Sequence, residues 1–459
     1  MLNHKISSIT KRGLLFTALV FVHTLSGIST AGADENSKLE EQVSSMQAII
    51  TKLSQKVAQL ETQLAAVATK QNDSEAMPSK QVQASPITDS KDRVGNNKVT
   101  AGYDKGFYIA SSDGDYRMKF DGQLQLRHLF NHNNDATEDN NDGGFQFRRA
   151  KLGVSGHVLN PNIKYKLKGN FSRSSGNYGI DNMFIAYKFD EAWTGLIGMD
   201  PAPFMREELV SSKRQQAVAR SYVTEYFTVD KTQGVKFAYD SDAWGAQLML
   251  HDGTHQAVGD FSGDTTDWAL AGRSEVLLSG SRKQFKDFAS WDGDDFGILL
   301  GAAFDYEEGA SDSEANFADV VKYTTDLSME WGGANAFVAF SGQEVTSPAA
   351  AGLADVSQYG LQAQLGYFIM PDKMDLFARY GYINFDGFAL NKGEVEAVMD
   401  DSARIWTFGT NYYFIGHKAR FTFDIIYSLD GIPINSSGLG LIKTEDEQLT
   451  ARTQIQLLF

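Results

Sequence analysis

Between Gly106 and Phe459, apolar and polar side chains alternate residue by residue over runs of about 9–15 positions, and this period of two constrains the chain more than any other feature. Tyr116, Met118, Phe120, Leu124 and Leu126 stand on one face of such a run, with Arg117, Lys119, Gln123, Gln125 and Arg127 on the other. Ile163, Tyr165 and Leu167 alternate with Lys164, Lys166 and Lys168, and the chain closes with Arg452, Gln454 and Gln456 set against Ile455, Leu457 and Phe459. A soluble sandwich would bury the apolar face and join its strands by short turns at both ends. Here the connections are unequal. Compact turn signals at Asn160-Pro161-Asn162, Asp190-Glu191-Ala192, Asp240-Ser241-Asp242, Gly332-Gly333, Pro371-Asp372-Lys373 and Gly416-His417 are separated by long polar stretches. Those stretches are 131–144, 200–230, 252–266, 307–319, 341–356, 386–402 and 430–449. Short, long, short, long predicts an all-β, transmembrane antiparallel barrel of about sixteen strands, with brief turns at one rim and loops at the other. Aromatic residues flank several of the brief turns, as an interfacial girdle requires: Tyr187, Phe189, Trp193, Tyr239, Trp244, Trp331, Tyr367, Phe368, Tyr412, Tyr413 and Phe414. The strand boundaries are least defined around 279–295.

Composition removes several other classes. Mean hydropathy is −0.31, and without a run of ~20 apolar residues no helix spans a bilayer, although alternating strands still can. Forty-two basic side chains face 58 acidic ones, the wrong balance for a protein that neutralises nucleic-acid phosphates. With no cysteine there is no disulfide framework, thiolate metal site or cysteine nucleophile. Asp139-Asn140-Asn141-Asp142-Gly143 and Asp292-Gly293-Asp294-Asp295 lack the alternating ligands and final Glu of a calcium loop. His128, His132 and His157 have no metal-ligand spacing, and no Ser/His/acid set stands out. The expectation is a protein without catalytic site, metal or cofactor.

The N-terminal quarter reads differently. Lys5, Lys11 and Arg12, the apolar run 14–22 and Ala31-Gly32-Ala33 have the order of an export signal over residues 1–33. Removing it leaves 39 basic against 58 acidic side chains. Over 34–70 a heptad seam follows, with Val43, Ile50, Val57 and Leu64 at a and Met46, Leu53, Leu60 and Val67 at d, predicting a coiled coil. β-Branched residues at a with Leu at d favour two strands. Residues 71–104, rich in Ser, Gln and Asn with Pro78 and Pro86, read as a linker, and 105–459 as the barrel.

The chain resembles the phosphate-selective porin O and P family. The resemblance rests on Gly106-Phe107, Asp121-Gly122, Phe147-Arg148-Arg149-Ala150-Lys151-Leu152-Gly153-Val154 and Gly198-Met199-Asp200-Pro201, with Phe204, Glu207-Glu208-Leu209 and Ser211-Ser212 in the long loop. It covers roughly 100–459 and departs from the family at Ala219-Arg220 and at Lys231-Thr232-Gln233-Gly234. It implies an outer-membrane homotrimer passing small anions such as phosphate, embedded in lipid and lipopolysaccharide; the even strand count separately puts both chain ends, and with them the coiled coil, in the periplasm. The resemblance also implies that Phe459 is read by the barrel assembly machinery.

A sixteen-stranded barrel is too wide for wall side chains to plug, so its lumen holds water. Arg117, Lys119, Arg149, Lys151, Lys164, Lys166 and Lys168 lie opposite apolar faces, and a lipid-facing Lys or Arg would cost ~2–4 kcal/mol. They are therefore the expected anion-binding wall. Residues 200–230 carry Arg206, Glu207, Lys213, Arg214 and Arg220 between the fifth and sixth strands, where general porins fold a constriction into the lumen. Two other readings remain open. In the first, Asp181, Asp326, Glu330, Asp375 and Asp424 balance the wall and the channel is a general one. In the second, the coiled coil makes the barrel a structural tether or adhesion scaffold.

Overall fold

The computed structural model describes residues 99–459 except Lys105, 135–140, Ser174, 255–265, 311–317, 347–354 and 386–401. The export signal, coiled coil and most of the linker lie outside the described residues. A hairpin comes first, β1 (Val99–Tyr103) and β2 (Phe107–Ser111). β1 thus lies inside the stretch read as linker, because its five residues pair with β2 from Val99↔Ser111 to Tyr103↔Phe107.

Sixteen further strands follow. They are β3 (Arg117–Asn133), β4 (Asn141–Val158), β5 (Asn160–Phe171), β6 (Tyr178–Lys188), β7 (Trp193–Pro201) and β8 (Lys231–Asp240). Next come β9 (Trp244–His251), β10 (Thr266–Ser279), β11 (Gly297–Gly309), β12 (Asp319–Trp331) and β13 (Ala334–Thr346). The set ends with β14 (Val356–Met370), β15 (Met374–Asn384), β16 (Ser402–Ile415), β17 (Ala419–Ser428) and β18 (Gln448–Leu458). Each pairs antiparallel with its successor, and β18 returns to β3 from Gln448↔Asn133 to Leu458↔Gln123, closing the barrel. Closure satisfies every strand edge internally, which a bilayer demands. Below the end of β18, β2 takes over the same edge of β3 at Tyr108↔Lys119 and Ala110↔Arg117.

The alternation decides which side each residue takes. Leu126, Leu167, Ile185, Ile197, Phe237, Leu248, Leu365, Phe408 and Ile455 point outward and are exposed, an apolar belt that only lipid would cover. Trp193, Tyr239 and Trp244 pack ring against ring in sequence at the short-turn rim, and Tyr187 with Phe189 and Tyr412 with Phe414 meet edge to face. Aromatic rings also cover glycines on this face. A Cβ on Gly122 would sit 2.3 Å from the Phe459 ring and one on Gly169 2.2 Å from Tyr178, close approaches that shield otherwise bare backbone. Phe368 and Tyr413, read as girdle residues, instead point inward and are buried, since they fall on the opposite parity from Tyr367 and Tyr412.

Inside the wall, charge is paired at full burial. Arg452 meets both oxygens of Asp424 at 2.7 Å, with neither side chain exposed, and Arg273 meets Asp326 at 2.8 and 3.1 Å. Removing one member strands the other in a dry site, at a cost of about 3–5 kcal/mol. Unboiled protein is expected to migrate as a compact band on a denaturing gel and to shift on boiling. Arg452→Ala should lower the temperature at which that band is lost, whereas a conservative change on the lipid face such as Leu365→Ile should leave it in place.

Candidate functional site

Three segments of the chain enter the lumen: the 202–230 loop, the 429–447 loop packed on it, and residues 280–296. The first is the 202–230 loop between β7 and β8, which carries short helices α1 (Arg206–Leu209) and α2 (Tyr222–Phe227). Its bonds reach inward-facing residues right around the barrel. Gln125 and Gln456 donate to the carbonyls of Ser212 and Lys213, Arg420 to Gln215, and Arg273 to Phe204. Asp375 accepts from Gln216 and Asp424 from the Val218 amide. Glu207 ties the loop to itself and to the wall. Its carboxylate accepts from the Ser221 amide and hydroxyl, from Thr224 Oγ1 at 2.6 Å and from Arg379 at 3.0 Å. Ser221 in turn caps α2 through the Thr224 amide.

The buried apolar residues of this loop pack to one side. Phe204, Met205, Tyr222, Val223 and Phe227 meet Ala271 of β10, Ala303 of β11, Ile383 of β15, Ile405 of β16 and Ile426 of β17, joined by Ile432, Leu439 and Leu441 from the 429–447 loop. That side of the loop is packed against the wall. On the β3–β10 side a cavity of about 730 Å³ remains, and among its described lining residues twelve are Lys or Arg and six Asp or Glu.

Backbone geometry supplies part of this excess. Opposite Leu126, β4 carries one extra residue, so Gln125 pairs with Arg149 and Leu126 with Phe147 while Arg148 bulges between them. A bulge re-aims a side chain, and here both Arg148 and Arg149 line the cavity. Arg149 donates to Gln125 at 2.9 Å. Other cations are matched: Lys151 and Lys231 share Asp181 at 2.7 and 2.6 Å, Lys236 meets Asp200, and Lys168 meets Asp121 at 2.5 Å. Arg148, Arg149, Lys166, Arg206, Arg214 and Lys286 line the cavity without an ion pair among the described residues.

The residues expected from sequence therefore separate. Arg149, Lys151, Lys166 and Lys168 line one space, as do Arg206, Arg214 and Arg220 from the loop. Lys164 is exposed and lies outside it, and Arg117 is closed off by Asp104 at 2.9 Å and by the Tyr108 ring at 4.3 Å. Lys119 is half-buried beside the hairpin, paired in register with Tyr108. Glu207 is buried away from the cavity, because four donors already claim its oxygens. Lys213 is half-buried, and burial together with nearby Lys168 holds its amine below the usual lysine value. Arg148, Lys231, Lys236, Arg282 and Lys286 were not singled out as pore cations. The doubled arginine 148–149 was visible, but a bulge was needed to turn both inward.

A closed sixteen-stranded barrel with a loop folded through it and a charged aqueous space beside that loop is the architecture of an outer-membrane porin. The chain belongs to the phosphate-selective porin O and P family, whose model matches residues 119–428. An uncharacterised protein of Aquifex aeolicus (strain VF5) is 24% identical over 371 residues, 71% of this chain and 83% of its own length. Among solved structures, the anion-selective porin from Comamonas acidovorans superposes with a TM-score of 0.53 at 10% identity, covering 74% of this chain and 99% of that one. Salmonella typhi OmpF, in complex with daunomycin, gives 0.50 at 12% identity, covering 78% and 100%. At such identities the two structures share the fold.

One loop carboxylate makes the cavity charge responsive to pH. Burial raises Glu208 to about 7, against the pull of Arg220 at 3.0 Å and with a further push from Asp230. A raised carboxyl is neutral below that value and adds a negative charge above it. The anion-to-cation permeability ratio is expected to fall as pH rises from about 6 to 8. Glu208→Gln should flatten that dependence, which reversal potentials at each pH would reveal.

Proposed function

We propose that this protein is an outer-membrane channel for passive diffusion of small anions, phosphate and polyphosphate among them, with the 202–230 loop as its constriction. The observation that carries the reading is the two-to-one excess of cations around the cavity. Lys166 and Lys168, two apart on β5, are ~6.7 Å apart by strand rise, and Arg148 and Arg149, further along the neighbouring β4, line the same cavity. Charges at that spacing lie within a Debye length of one another at physiological salt, so a passing anion meets one field. Successive weak sites also let it move on, as conduction requires. The Comamonas acidovorans porin, named as anion-selective, shares this fold. The same reading takes the protein as a homotrimer in lipid and lipopolysaccharide, each barrel offering Phe459 to the barrel assembly machinery, with residues 34–70 as a periplasmic coiled coil.

The general-porin reading keeps support from Asp181, Asp326 and Asp424, which pair with Lys151 and Lys231 together, with Arg273 and with Arg452. Planar-bilayer recording separates the two. In a KCl gradient the wild type should favour chloride. Lys166→Glu with Arg214→Glu, each turning a positive charge negative, should move the reversal potential toward that of K⁺, while Lys164→Glu, outside the cavity, should move it far less. Wild-type preference for K⁺ would leave the general porin standing. Micromolar phosphate should block chloride current in the wild type and not in the double variant. A tether would be marked by loss of the protein's role on deleting 34–98 while conductance persists.

A further inference from the structure

One segment in the lumen comes from the rim where brief turns are expected. Between β10 and β11 the chain takes seventeen residues, 280–296, in place of a tight turn. It runs inward. Arg206 of the loop donates to the Phe285 carbonyl at 2.6 Å, with its guanidinium 5.7 Å from the Phe285 ring and 5.5 Å from Phe288. Phe288 packs on Phe337 of β13 at 5.0 Å. Trp291 then seats among Phe368, Tyr413 and His417 at 5.0–5.2 Å, while Asp287 bonds His417 at 3.1 Å and the Asp292 amide bonds Asp372 at 2.8 Å. His417 lies in the β16–β17 turn, six strands round the ring from the point of departure. The segment is a chord across the short-turn mouth.

Its two sides differ in chemistry. Phe288 and Trp291 grip the far wall, whereas Arg282, Phe285 and Lys286 line the cationic cavity from below. Arg282 is held by Glu275 at 3.2 Å, but Lys286 is exposed and bears no ion pair among the described residues. A strut needs the apolar grip and gains nothing from a cation turned toward water.

We propose that 280–296 is a second, periplasm-side filter in series with the loop, in which Lys286 selects the charge of the leaving solute and the Trp291 anchor fixes the aperture. This rests on the channel reading above. Solute leaving the cavity toward the short-turn rim passes the floor that Phe285 and Lys286 form. Charge on that floor acts on anions after the loop has already admitted them.

The chain contains no cysteine, so Lys286→Cys in the full-length protein offers a single thiol. Under bilayer recording, a sulfonate-bearing methanethiosulfonate should lower the chloride-to-potassium permeability ratio by about twofold or more, and a trimethylammonium reagent should restore it toward the wild-type value. Trp291→Ala should keep the heat-modifiable band yet raise single-channel conductance and admit larger polyethylene glycols. If both adducts leave ratio and conductance unchanged, while Lys166→Glu with Arg214→Glu still shifts selectivity, the segment is only a strut and this inference fails. A wild type without anion preference would instead overturn the channel reading on which it rests. Should Trp291→Ala fail to fold, the Lys286→Cys recordings still decide the matter.

Discussion

Inside a bilayer no backbone N–H or C=O can be left without a partner, and the rest of this molecule follows from that demand. Sixteen strands meet it by pairing β18 with β3. A ring of that size encloses more space than its own side chains can fill. The chain then fills part of the space with its own segments, two loops from one rim and 280–296 from the other, and Arg206 joins the 202–230 loop to 280–296. Its guanidinium bonds Ser328 of the wall and the Phe285 carbonyl of the lower segment. A single buried cation thus fixes the height of both segments against the wall.

This filling separates two kinds of polar residue within one lumen. Where the segments press on the wall, charges are neutralised to full burial, as in Arg452 with Asp424 and Arg379 with Glu207. Where the cavity stays open, several cations lack a carboxylate, because water can solvate them there. The net negative charge of the whole chain therefore says little about the pathway, since the pathway draws its character from the few groups that the fold leaves unmatched.

Much of the barrel was legible in the sequence. Parity assigned Gln123, Gln125 and Arg127 to the inside and Leu124 and Leu126 to the outside, and brief turns set the strand count. Other features were hidden for definable reasons. The bulge at Arg148 is a one-residue slip that no period of two records. The apolar packing of the loop on the wall was announced only by adjacent apolar pairs such as Ile425-Ile426, which violate alternation because Ile426 meets the loop's apolar cluster. Phe368 and Tyr413 sit beside rim aromatics in sequence, but their parity, opposite to that of Tyr367 and Tyr412, turns them inward. The 280–296 chord defeated a reading built on turns, since its anchors are contributed by β13, β14 and the β16–β17 turn, far away in sequence. Lys164 shows the converse limit: its parity is right, but its height on β5 leaves it outside the cavity.

The off-centre cavity carries a consequence for the strength of the pore's charges. One side of it is the folded loop, whose lining residues Arg206 to Arg220 stand in front of the packed hydrocarbon of Phe204, Val223 and Phe227. That material polarises weakly, so field lines from the wall cations crowd into the aqueous crescent and do not spread through a full cylinder. Each unmatched lysine or arginine consequently acts at longer range than it would in a lumen of the same width filled with water. By narrowing the conducting space to one side, the apolar plug makes a small number of charges sufficient.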